Sequence, residues 1–410
     1  MRIWILQTGE PLQIDRGGLR PMRAMNLSRA LIDQGHHVTL WTSDFDHFSK
    51  QHRFGVEKTI NFSDQLTIRL IKSRGYKSHV GLSRLFDHAQ LGWNLRKMLK
   101  NASAPEVAFI GYPPIEPAWV LSRWLNLRDV PTILDVKDAW PDNLVNAFPN
   151  HLRRLAKLML FPYFLMMRQT FKTSTGISSV SQEFLNWCHS MANRKQFETD
   201  FVFPLSPVDE QFSEEEIKVA SEWLIKLGKL PENKLQGYFV GSLNDAFDFN
   251  PIISAAQKFP INFVLAGDGP RLDTLRLETR DIPNIIFPGR VSRAQAKVLS
   301  ADSHFALAPL AARTDFEMSI PNKFYDALQL GKPIISSLSG PSRDLLEKNK
   351  CGLYYKNEKE LHDLLQNLIK SSDTLFAMGN NALDIYKREY SFNKVYPAVV
   401  KRLRALTNES

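Results

Sequence analysis

A lysine and an aspartate, three residues apart, lie near the start of a predicted helix in the stretch SIPNKFYDALQLGKPIISS, residues 319–337. Pro321 suits the first turn of a helix, and Gly331 is suited to end it. Lys323 adds a positive charge where the helix dipole is already positive, so either solvent screens this charge or an anion binds there. Asp326 is predicted to share a helix face with Lys323.

These residues could bind a diphosphate joined to a sugar. The free amides at a helix start favour anions, and a lysine beside them adds charge. Asp326, one turn deeper, can accept two hydrogen bonds from a sugar diol, as carboxylates do with ribose. The simpler alternative is a surface ion pair between Lys323 and Asp326, worth ~0.2–0.5 kcal/mol. The candidate site comprises Ser319, Ile320, Pro321, Asn322, Lys323 and Asp326.

Three loops that contain glycine follow predicted strands upstream of this stretch. The carboxyl ends of parallel strands share one edge of a sheet, where ligands bind, so these loops are expected to lie beside the lysine. A Gly-Asp-Gly turn needs no ligand by itself, but four strand ends that converge on one edge are more specific than any single loop. The loop residues assigned to the site are Gly241, Ser242, Gly267, Asp268, Gly269, Arg290 and Val291.

Apolar strands alternate with amphipathic helices in both halves of the chain. Strict alternation predicts an α/β fold in which helical crossovers join parallel strands. The segment 202–216 is rich in proline and acidic residues and is expected to carry no strand, which places a boundary near residue 205. The predicted strands are 2–8, 37–43, 66–73, 106–112, 131–138 and 176–181, followed by 235–242, 261–270 with its turn, 284–290, 304–310 and 332–338.

Two domains of this kind in tandem would face a cleft, a geometry that can bring two substrates together. The first domain is predicted to span residues 1–205 and the second residues 206–385. A last amphipathic helix, within residues 386–410, is expected to cross back and pack on the first domain. Many unrelated proteins share such an architecture, so it does not by itself specify a reaction.

The net charge of +9 comes from the first half of the chain. Residues 1–200 carry 26 lysines and arginines against 17 aspartates and glutamates. This excess favours an anionic partner, which could be a nucleic acid, a phosphorylated ligand or a membrane surface, unless it only keeps the protein in solution. No RNA- or DNA-binding motif accompanies it, so we expect no nucleic acid partner.

Residues 151–172 have the composition of a helix that lies on an anionic membrane, with basic residues around an apolar centre. An ordinary core helix with basic ends is the alternative. The longest apolar run, residues 158–167, is too short to span a bilayer. Cys188 and Cys351 are too few for a disulfide framework, which suits a reducing compartment.

Over nearly its whole length, the chain resembles the retaining GT-B glycosyltransferases of family 4. The matching pieces of the second half are YFVGSL, LAGDGPRLDTL, IIFPGRVSRAQ, ADSHFALAPL and IPNKFYDALQLGKPIIS. The stretch LQTGEPLQIDRGGLRPMRAMNLSRALIDQGHHVTLWTS looks like the family's opening strand, Gly-Gly loop, helix and second strand. ILDVKDAWPDNL is similar to the Asp-x-Trp-Pro stretch of a branch that includes N-acetyl-fucosamine and related surface-polysaccharide transferases.

The resemblance implies roles for residues of the first half. Gly17 and Gly18 would form a loop near the donor phosphates or the acceptor, with Arg16 beside them to help neutralise an anion. Asp138 would contact the donor sugar or the acceptor hydroxyl, and it is the candidate to orient or deprotonate that hydroxyl. A structural aspartate at a strand end is the alternative for Asp138.

In the second half, the resemblance places Arg290 and Val291 beside the nucleotide base. It implies that Lys323 binds the diphosphate and stabilises the charge that develops there, and that Asp326 binds ribose.

The sequence departs from the family pattern at three places. Met318 stands where the family has the first glutamate of a pair, with Glu317 next to it. Ser242 and, roughly, Asp248 stand in place of an arginine and a lysine, and Lys137 stands in place of a histidine in the first domain. These departures lie at positions where the family contacts its substrates, so they affect the roles that the resemblance assigns to individual residues.

The resemblance implies transfer of a sugar, with retained anomeric configuration, from a nucleotide-diphosphate donor, UDP being favoured. The acceptor would be a glycan or a polyprenyl-diphosphate-linked molecule in lipopolysaccharide or exopolysaccharide biosynthesis, handled by a peripheral enzyme on the cytoplasmic face of the membrane. We expect no metal and no cofactor, because no histidine has ligand spacing with cysteine or acidic residues.

Two other activities compete with this interpretation. A non-hydrolysing UDP-sugar epimerase shares the fold but would show a different set of acidic and histidine residues. A catalytically silent nucleotide-sugar-binding scaffold of a polysaccharide assembly complex is favoured by Met318 and Ser242.

Overall fold

The computed structural model describes residues 1–15, 20–77, 81–208, 210–227, 235–371 and 373–408. The chain divides into two compact units. The first comprises Met1–Pro204 and the chain from Val395 onward, and the second comprises Leu205–Lys394.

The first unit is built on a sheet of eight strands. Its strands, with a separate two-stranded ribbon formed by β3 and β4, are β1 (Arg2–Leu6), β2 (His37–Ser43), β3 (Phe45–Asp46), β4 (Gln51–His52), β5 (Lys58–Asn61), β6 (Leu66–Ile71), β7 (Val107–Tyr112), β8 (Thr132–Val136), β9 (Gly176–Ser179) and β10 (Phe201–Val202). The order across the sheet is β10-β9-β8-β7-β1-β2-β6-β5. All neighbouring strands from β10 to β6 are parallel, as predicted, and β5 pairs with β6 in antiparallel orientation.

The structure corrects the predicted alternation at two places. Residues 45–61 form three short strands in succession with no helix between them. The side chains of β5 are mostly exposed, which an antiparallel edge strand tolerates because one of its faces can remain in water. β10 lies at the start of the segment that was expected to carry no strand, where Phe203 N donates to the Ser179 carbonyl (2.7 Å).

Helices cover both faces of this sheet. They are α1 (Arg23–Ile32), α2 (Leu82–Met98), α3 (Ile115–Asn126), α4 (Asp142–Asn146), α5 (Arg153–Met159), α6 (Phe161–Thr173) and α7 (Gln182–Ala192). The segment 151–172 is therefore a broken helix, in which Pro162 lies in the first turn of α6. Proline is tolerated there because a first-turn amide has no partner within the helix.

The second unit is built on a parallel sheet of six strands, in the order β13-β12-β11-β14-β15-β16. The strands are β11 (Gln236–Val240), β12 (Asn262–Ala266), β13 (Ile285–Ile286), β14 (Phe305–Ala308), β15 (Ile334–Ser336) and β16 (Gly352–Tyr354). The helices are α8 (Glu214–Lys226), α9 (Asn250–Lys258), α10 (Leu272–Glu278), α11 (Arg293–Asp302), α12 (Thr314–Glu317), α13 (Asn322–Gln329), α14 (Pro341–Asn349), α15 (Glu358–Lys370) and α16 (Asp373–Ile385). Helices on both faces bury this sheet, which explains why its strands are continuous apolar runs.

The last helix, α17 (Phe392–Asn408), packs on the first unit. The Tyr396 hydroxyl accepts a hydrogen bond from Asn26 Nδ2 (3.3 Å) in α1. The Tyr396 ring meets the Phe203 ring edge to face, with 5.4 Å between the centroids. Among the residues that the structure describes, no helix is both long enough and apolar enough to cross a bilayer.

Candidate functional site

Backbone hydrogen bonds hold together the loops that follow the first three strands of the second unit. Gly241 N, after β11, donates to the Ala266 carbonyl at the end of β12 (3.0 Å). Gly267 N, after β12, donates to the Gly289 carbonyl in the loop after β13 (2.8 Å). The three loops therefore form one rim along the carboxyl edge of the sheet, as the sequence predicts.

The glycines of this rim are required by contacts between the loops. A Cβ on Gly267 would lie 1.8 Å from the Gly241 carbonyl oxygen, and one on Gly269 would lie 2.4 Å from the Leu243 carbonyl oxygen. The backbone that approaches each glycine closely is thus that of the neighbouring loop. The close approach needs no bound ligand.

Lys323 lies at the second position of α13, and its ammonium group contacts the end of β11. The Lys323 Nζ donates to the Val240 carbonyl and lies 4.2 Å from the centre of the Phe239 ring and 5.1 Å from that of Phe247. A Cβ on Gly241 would lie 2.0 Å from this Nζ. Gly241 therefore leaves the space that the lysine occupies.

These contacts resolve the question raised by a lysine at a helix start. Two aromatic rings and the Val240 carbonyl stabilise the positive charge of Lys323, in addition to any contribution from solvent or from an anion. Burial lowers the pKa of Lys323 to about 8, although the charge of Asp326 acts in the opposite direction. At pH 7 the ammonium form still dominates, and it is poorly hydrated, which strengthens its interaction with an anion.

Asp326 lies one turn further along α13 and is half-buried. Burial, and also the charge of Asp326, raise the pKa of the Tyr238 hydroxyl in β11. The negative charge of Asp326 thus raises the pKa of both Lys323 and Tyr238. The alternative of a surface ion pair between Lys323 and Asp326 is therefore an incomplete description, because the Lys323 side chain packs on two aromatic rings.

The segment that leads into α13 is fixed by the loop after β15 and by the start of α14. Pro321 is the residue before the helix and not within its first turn, Asn322 is exposed, and Ile320 is buried in the core. Ser342 Oγ donates to the Ser319 carbonyl (3.0 Å), and Ser339 Oγ donates to Glu317 Oε1 (2.6 Å). A carboxylate is thus present beside Met318, and the serine loop that binds it was not found by sequence reasoning.

The remaining predicted residues of the second unit form the outer part of the rim. Ser242, Asp268 and Arg290 are exposed, and Val291 packs partly against the core. Ser242 Oγ accepts from Asn244 Nδ2 (3.1 Å). These side chains are free to meet a ligand at the sheet edge, and their roles stay predictions.

Asp138 belongs to the first unit, where it is exposed just after β8. Its neighbour Lys137 binds two buried groups, Glu10 Oε1 (2.6 Å) and Gln7 Oε1 (2.9 Å). Both partners follow β1, so Lys137 joins the ends of two strands. Arg16, Gly17 and Gly18 lie outside the described residues.

Residues 227–371 match the model of the family described as glycosyl transferases group 1. No curated protein matches the sequence. Solved structures do match it. Sucrose-phosphate synthase from Thermosynechococcus elongatus is 13% identical, with a TM-score of 0.71, and 100% of each chain is covered.

Two further structures are similar in the same way. WaaG, a glycosyltransferase involved in lipopolysaccharide biosynthesis, is 14% identical with a TM-score of 0.66, and the match covers 98% of this chain and 99% of WaaG. HepE from Anabaena, in complex with UDP-glucose, is 14% identical with a TM-score of 0.64, and the match covers 99% of this chain and 100% of HepE.

The fold is GT-B. Full-length matches to such structures confirm the prediction of an α/β fold with two Rossmann-like domains. At this identity the likeness establishes the fold alone, so the chemistry has to be argued from the site. Among the described residues, no group of three His, Cys, Asp or Glu side chains could hold a metal ion.

Proposed function

We propose that the protein is a retaining, metal-independent glycosyltransferase that moves a sugar from a UDP-sugar donor to a glycan or lipid-linked acceptor in polysaccharide biosynthesis. The observation that carries the proposal is the position of Lys323. Its ammonium group lies at the carboxyl end of the central strand, beside Gly241 and the first turn of α13. A diphosphate bound there would meet a half-buried cation and free helix amides together.

This geometry suits the reaction. In sugar transfer, the transition state is oxocarbenium-like, and negative charge builds on the leaving diphosphate. A cation and amides already in place stabilise that charge without reorganising. Asp326 would hold the ribose diol, and Asp138 would orient the acceptor hydroxyl. Positioning of the two substrates supplies much of the remaining acceleration.

The comparisons support a nucleoside diphosphate as the leaving group. Crystal structures of HepE contain UDP or UDP-glucose, and another similar structure is a UDP-forming trehalose-phosphate synthase from Burkholderia xenovorans. The family match covers residues 227–371, which include the whole rim and α13. These facts favour UDP over other nucleotides for this chain.

Calorimetric titration with UDP, GDP and ADP tests the donor site directly. We expect UDP to bind at micromolar strength and Asp326→Ala to weaken it at least tenfold, or ~1.4 kcal/mol. Asp384→Ala is the matched control, because Asp384 is exposed near the end of α16 and pairs with Arg388 just beyond that helix. Unchanged binding in Asp326→Ala, with the circular dichroism of the wild type, would refute the assignment of α13.

A catalytically silent scaffold is the second candidate, because Met318 and Ser242 stand where the family has charged side chains. Both candidates bind the donor, so binding does not separate them. Release of free sugar from UDP-sugar, measured by chromatography without an acceptor, does separate them. Slow hydrolysis that Lys323→Met abolishes would support the enzyme, and its absence with every UDP-sugar that binds would support the scaffold.

We also propose that α5 and α6 attach the protein to an anionic bilayer. Large apolar side chains are exposed there, including Leu158 (71% exposed), Met159 and Phe161. Exposed basic residues surround them, namely Arg153, Arg154, Lys157, Arg168 and Lys172. Apolar side chains that enter the headgroup region, ringed by cations, are typical of interfacial helices.

Sedimentation with vesicles tests this attachment. Wild-type protein is expected to bind vesicles that contain 30% phosphatidylglycerol and to bind pure phosphatidylcholine vesicles weakly. Leu158→Asp should abolish the difference, and Leu127→Asp is the control, because Leu127 is equally exposed at the end of α3. Equal binding by all three proteins would refute the attachment.

A further inference from the structure

Exposed apolar side chains are concentrated in the segment of the first unit that contains the edge strand β5. Phe48, Phe54, Val56 and Phe62 are each between 41% and 51% exposed. All four lie within residues 48–62. Single apolar residues on a surface need no explanation, but a group of large ones indicates an interaction surface.

The backbone of β5 is open on one side. β5 is the last strand in the order across the eight-stranded sheet, and it pairs with β6. Phe62 N donates to the Leu66 carbonyl (2.8 Å). In an antiparallel pair, residues alternate between those that bond to the neighbouring strand and those whose backbone groups point away from it. Ile60 therefore bonds to β6 as Phe62 does, and the N–H and C=O groups of Thr59 and Asn61 point to the open edge.

The apolar face of β6 continues onto β5, where it is only partly covered. Leu66 and Ile68 in β6 are 4% and 0% exposed. Ile60 pairs with Ile68, so the two side chains share a face of the sheet, but Ile60 is only half-buried. Phe62, two residues further on, lies on the same face and is 41% exposed. A strand added to this edge would cover both side chains.

The lysine on this edge strand is bound within its own chain. An edge lysine usually opposes pairing with another chain. Lys58 Nζ lies 3.7 Å from the centre of the Phe54 ring, and the negative face of an aromatic ring attracts an ammonium group. This contact weakens the obstacle that Lys58 presents to an added strand.

The charge around β5 is balanced, in contrast to the basic excess of the first half of the chain. Residues 51–66 contain two basic residues, Arg53 and Lys58, and two acidic residues, Glu57 and Asp64. A surface without net charge does not attract a nucleic acid or an anionic bilayer. Two copies of the same balanced surface can approach each other without repulsion.

The sequence of β5 is complementary to itself in an antiparallel register. When Thr59 pairs with the partner's Asn61, the outward-directed backbone groups of both residues find partners. Ile60 then lies on the two-fold axis opposite the partner's Ile60, and Lys58 lies opposite the partner's Phe62. Pairs of β-branched side chains and of a cation with an aromatic ring are both favourable across strands, and no like charges face each other.

We propose that β5 pairs with β5 of a second copy of this chain, so that the first sheets of the two copies become one continuous sheet. An interface that uses the same surface on both copies closes with two subunits and gives a dimer. Main-chain hydrogen bonds supply the affinity of an added strand, and the flanking side chains supply its specificity. This pairing is independent of the proposed transferase function, because none of its residues belongs to the candidate donor site.

Sedimentation velocity of the full chain at about 1, 10 and 100 µM tests the dimer. We expect the dimer fraction of the wild type to rise with concentration. Thr59→Pro removes an outward-directed N–H and keeps the bonds to β6, so it should weaken association at least tenfold. Ile60→Lys, which places like charges opposite each other on the axis, should do the same. Ile225→Lys is the matched control, because Ile225 is 65% exposed on α8 of the second unit.

Cysteine cross-linking tests the register. Opposed residues that do not bond to each other in an antiparallel pair have Cα atoms about 4.5 Å apart, which is within the reach of a disulfide. Ile60→Cys should therefore give a cross-linked dimer on a non-reducing gel after mild oxidation, and the control Ile225→Cys should not. Cys188 and Cys351 are buried, so they should give no background.

A wild type that stays monomeric at about 100 µM would overturn the proposal and would leave the edge of β5 to a different protein or to none. A dimer that folded Thr59→Pro and Ile60→Lys leave intact would overturn it as well, because another surface would then hold the copies together. So would a dimer that Ile60→Cys fails to cross-link. If circular dichroism shows that Thr59→Pro is unfolded, Ile60→Lys and the cross-link decide.

Discussion

Lys323 is a cation whose burial prepares it for an anionic ligand. A folded-state pKa of about 8 lies below the usual value for lysine because burial disfavours the charged form. A diphosphate would replace lost hydration with direct charge contacts. The interaction should therefore depend on pH in the range where this lysine titrates.

We predict that UDP binding weakens as pH rises through 8. The ammonium form is dominant below pH 8 and is lost above it, so the affinity should fall up to tenfold per pH unit between pH 8 and 10. Lys323→Met should bind weakly with no such dependence. Titrations at pH 7, 8 and 9 measure this, and a flat wild-type profile would contradict the role of Lys323.

Glu116 provides a second prediction at this scale. Its carboxyl group is buried at the start of α3, and neither oxygen makes a hydrogen bond of normal geometry. Burial raises its pKa from 4.5 to about 7, against the opposing effect of the Tyr163 hydroxyl. Since the folded state holds this proton more tightly than the unfolded state, Glu116 costs stability as pH rises from 4.5 to 7.

We expect Glu116→Gln to remove that decline. The difference in free energy of unfolding between variant and wild type should grow in favour of the variant by up to about 3 kcal/mol between pH 4.5 and 8. Urea denaturation at both pH values measures it. Glu183→Gln, at an exposed position in α7, is the control, and parallel behaviour of the two variants would refute the account.

At the scale of elements, the rim of the second sheet depends on how closely its loops approach one another. Gly267 adopts a φ of 146°, and a Cβ added to it would lie too close to the Gly241 carbonyl oxygen to be accommodated. Gly289 also has a positive φ, 78°, but no atom lies within 4 Å of the position of its Cβ. Replacing each glycine by alanine therefore distinguishes the cost of crowding between the loops from the cost of a strained backbone.

Gly267→Ala should destabilise the protein more than Gly289→Ala does. The first is expected to cost about 2 kcal/mol or more because a methyl group overpacks the loops. The second is expected to cost about 1 kcal/mol from the left-handed backbone alone. Urea denaturation and UDP titration of both variants measure the difference, and equal losses would show that crowding between the loops is unimportant.

The sequence predicts the positions of strands well where both faces of the strand are buried. β2 has the predicted bounds, and the predicted strands of the second sheet each contain an observed one. β16 (Gly352–Tyr354) was missed because it lies at the edge of the sheet and is only partly buried, so it lacks the continuous apolar run of the inner strands. The edge strand β5 was missed because its exposed residues show no apolar pattern.

The candidate site could be predicted only in part, for a related reason. Lys323 and Asp326 are neighbours in sequence, so helix geometry alone relates them. The contact of Lys323 with Phe239 and Phe247 joins segments about 80 residues apart, and no local pattern specifies it. The contacts of Tyr76 with His47, Lys50 and Arg84 likewise join segments that only the fold brings together.

At the scale of the whole molecule, α17 provides part of the core of the first unit. Tyr396 is buried against Phe203 and bonded to Asn26. Its side chain therefore connects α17 to α1 and to the edge of the first sheet. The first unit therefore combines Met1–Pro204 with a segment that follows the second unit in the chain.

We predict that Tyr396→Ala destabilises the first unit by about 3 kcal/mol, as loss of a buried aromatic side chain does. Tyr396→Phe, which keeps the ring and loses the hydrogen bond, should cost only about 1 kcal/mol. Hydrogen–deuterium exchange read by mass spectrometry should rise in peptides of β8 and β10 and stay unchanged in β11 and β12. A uniform rise across both units would contradict the prediction.

The return of α17 also affects how the protein is made. A ribosome releases residues 1–204 about 190 residues before it releases the helix that completes their core. At synthesis rates of about 5–20 residues per second, that interval is roughly 10–40 s. During it, the surface around Phe203 that α17 later covers stays open, so the second unit can fold while the first still exposes apolar groups. Nascent chains of this protein should therefore depend on chaperones until α17 has emerged.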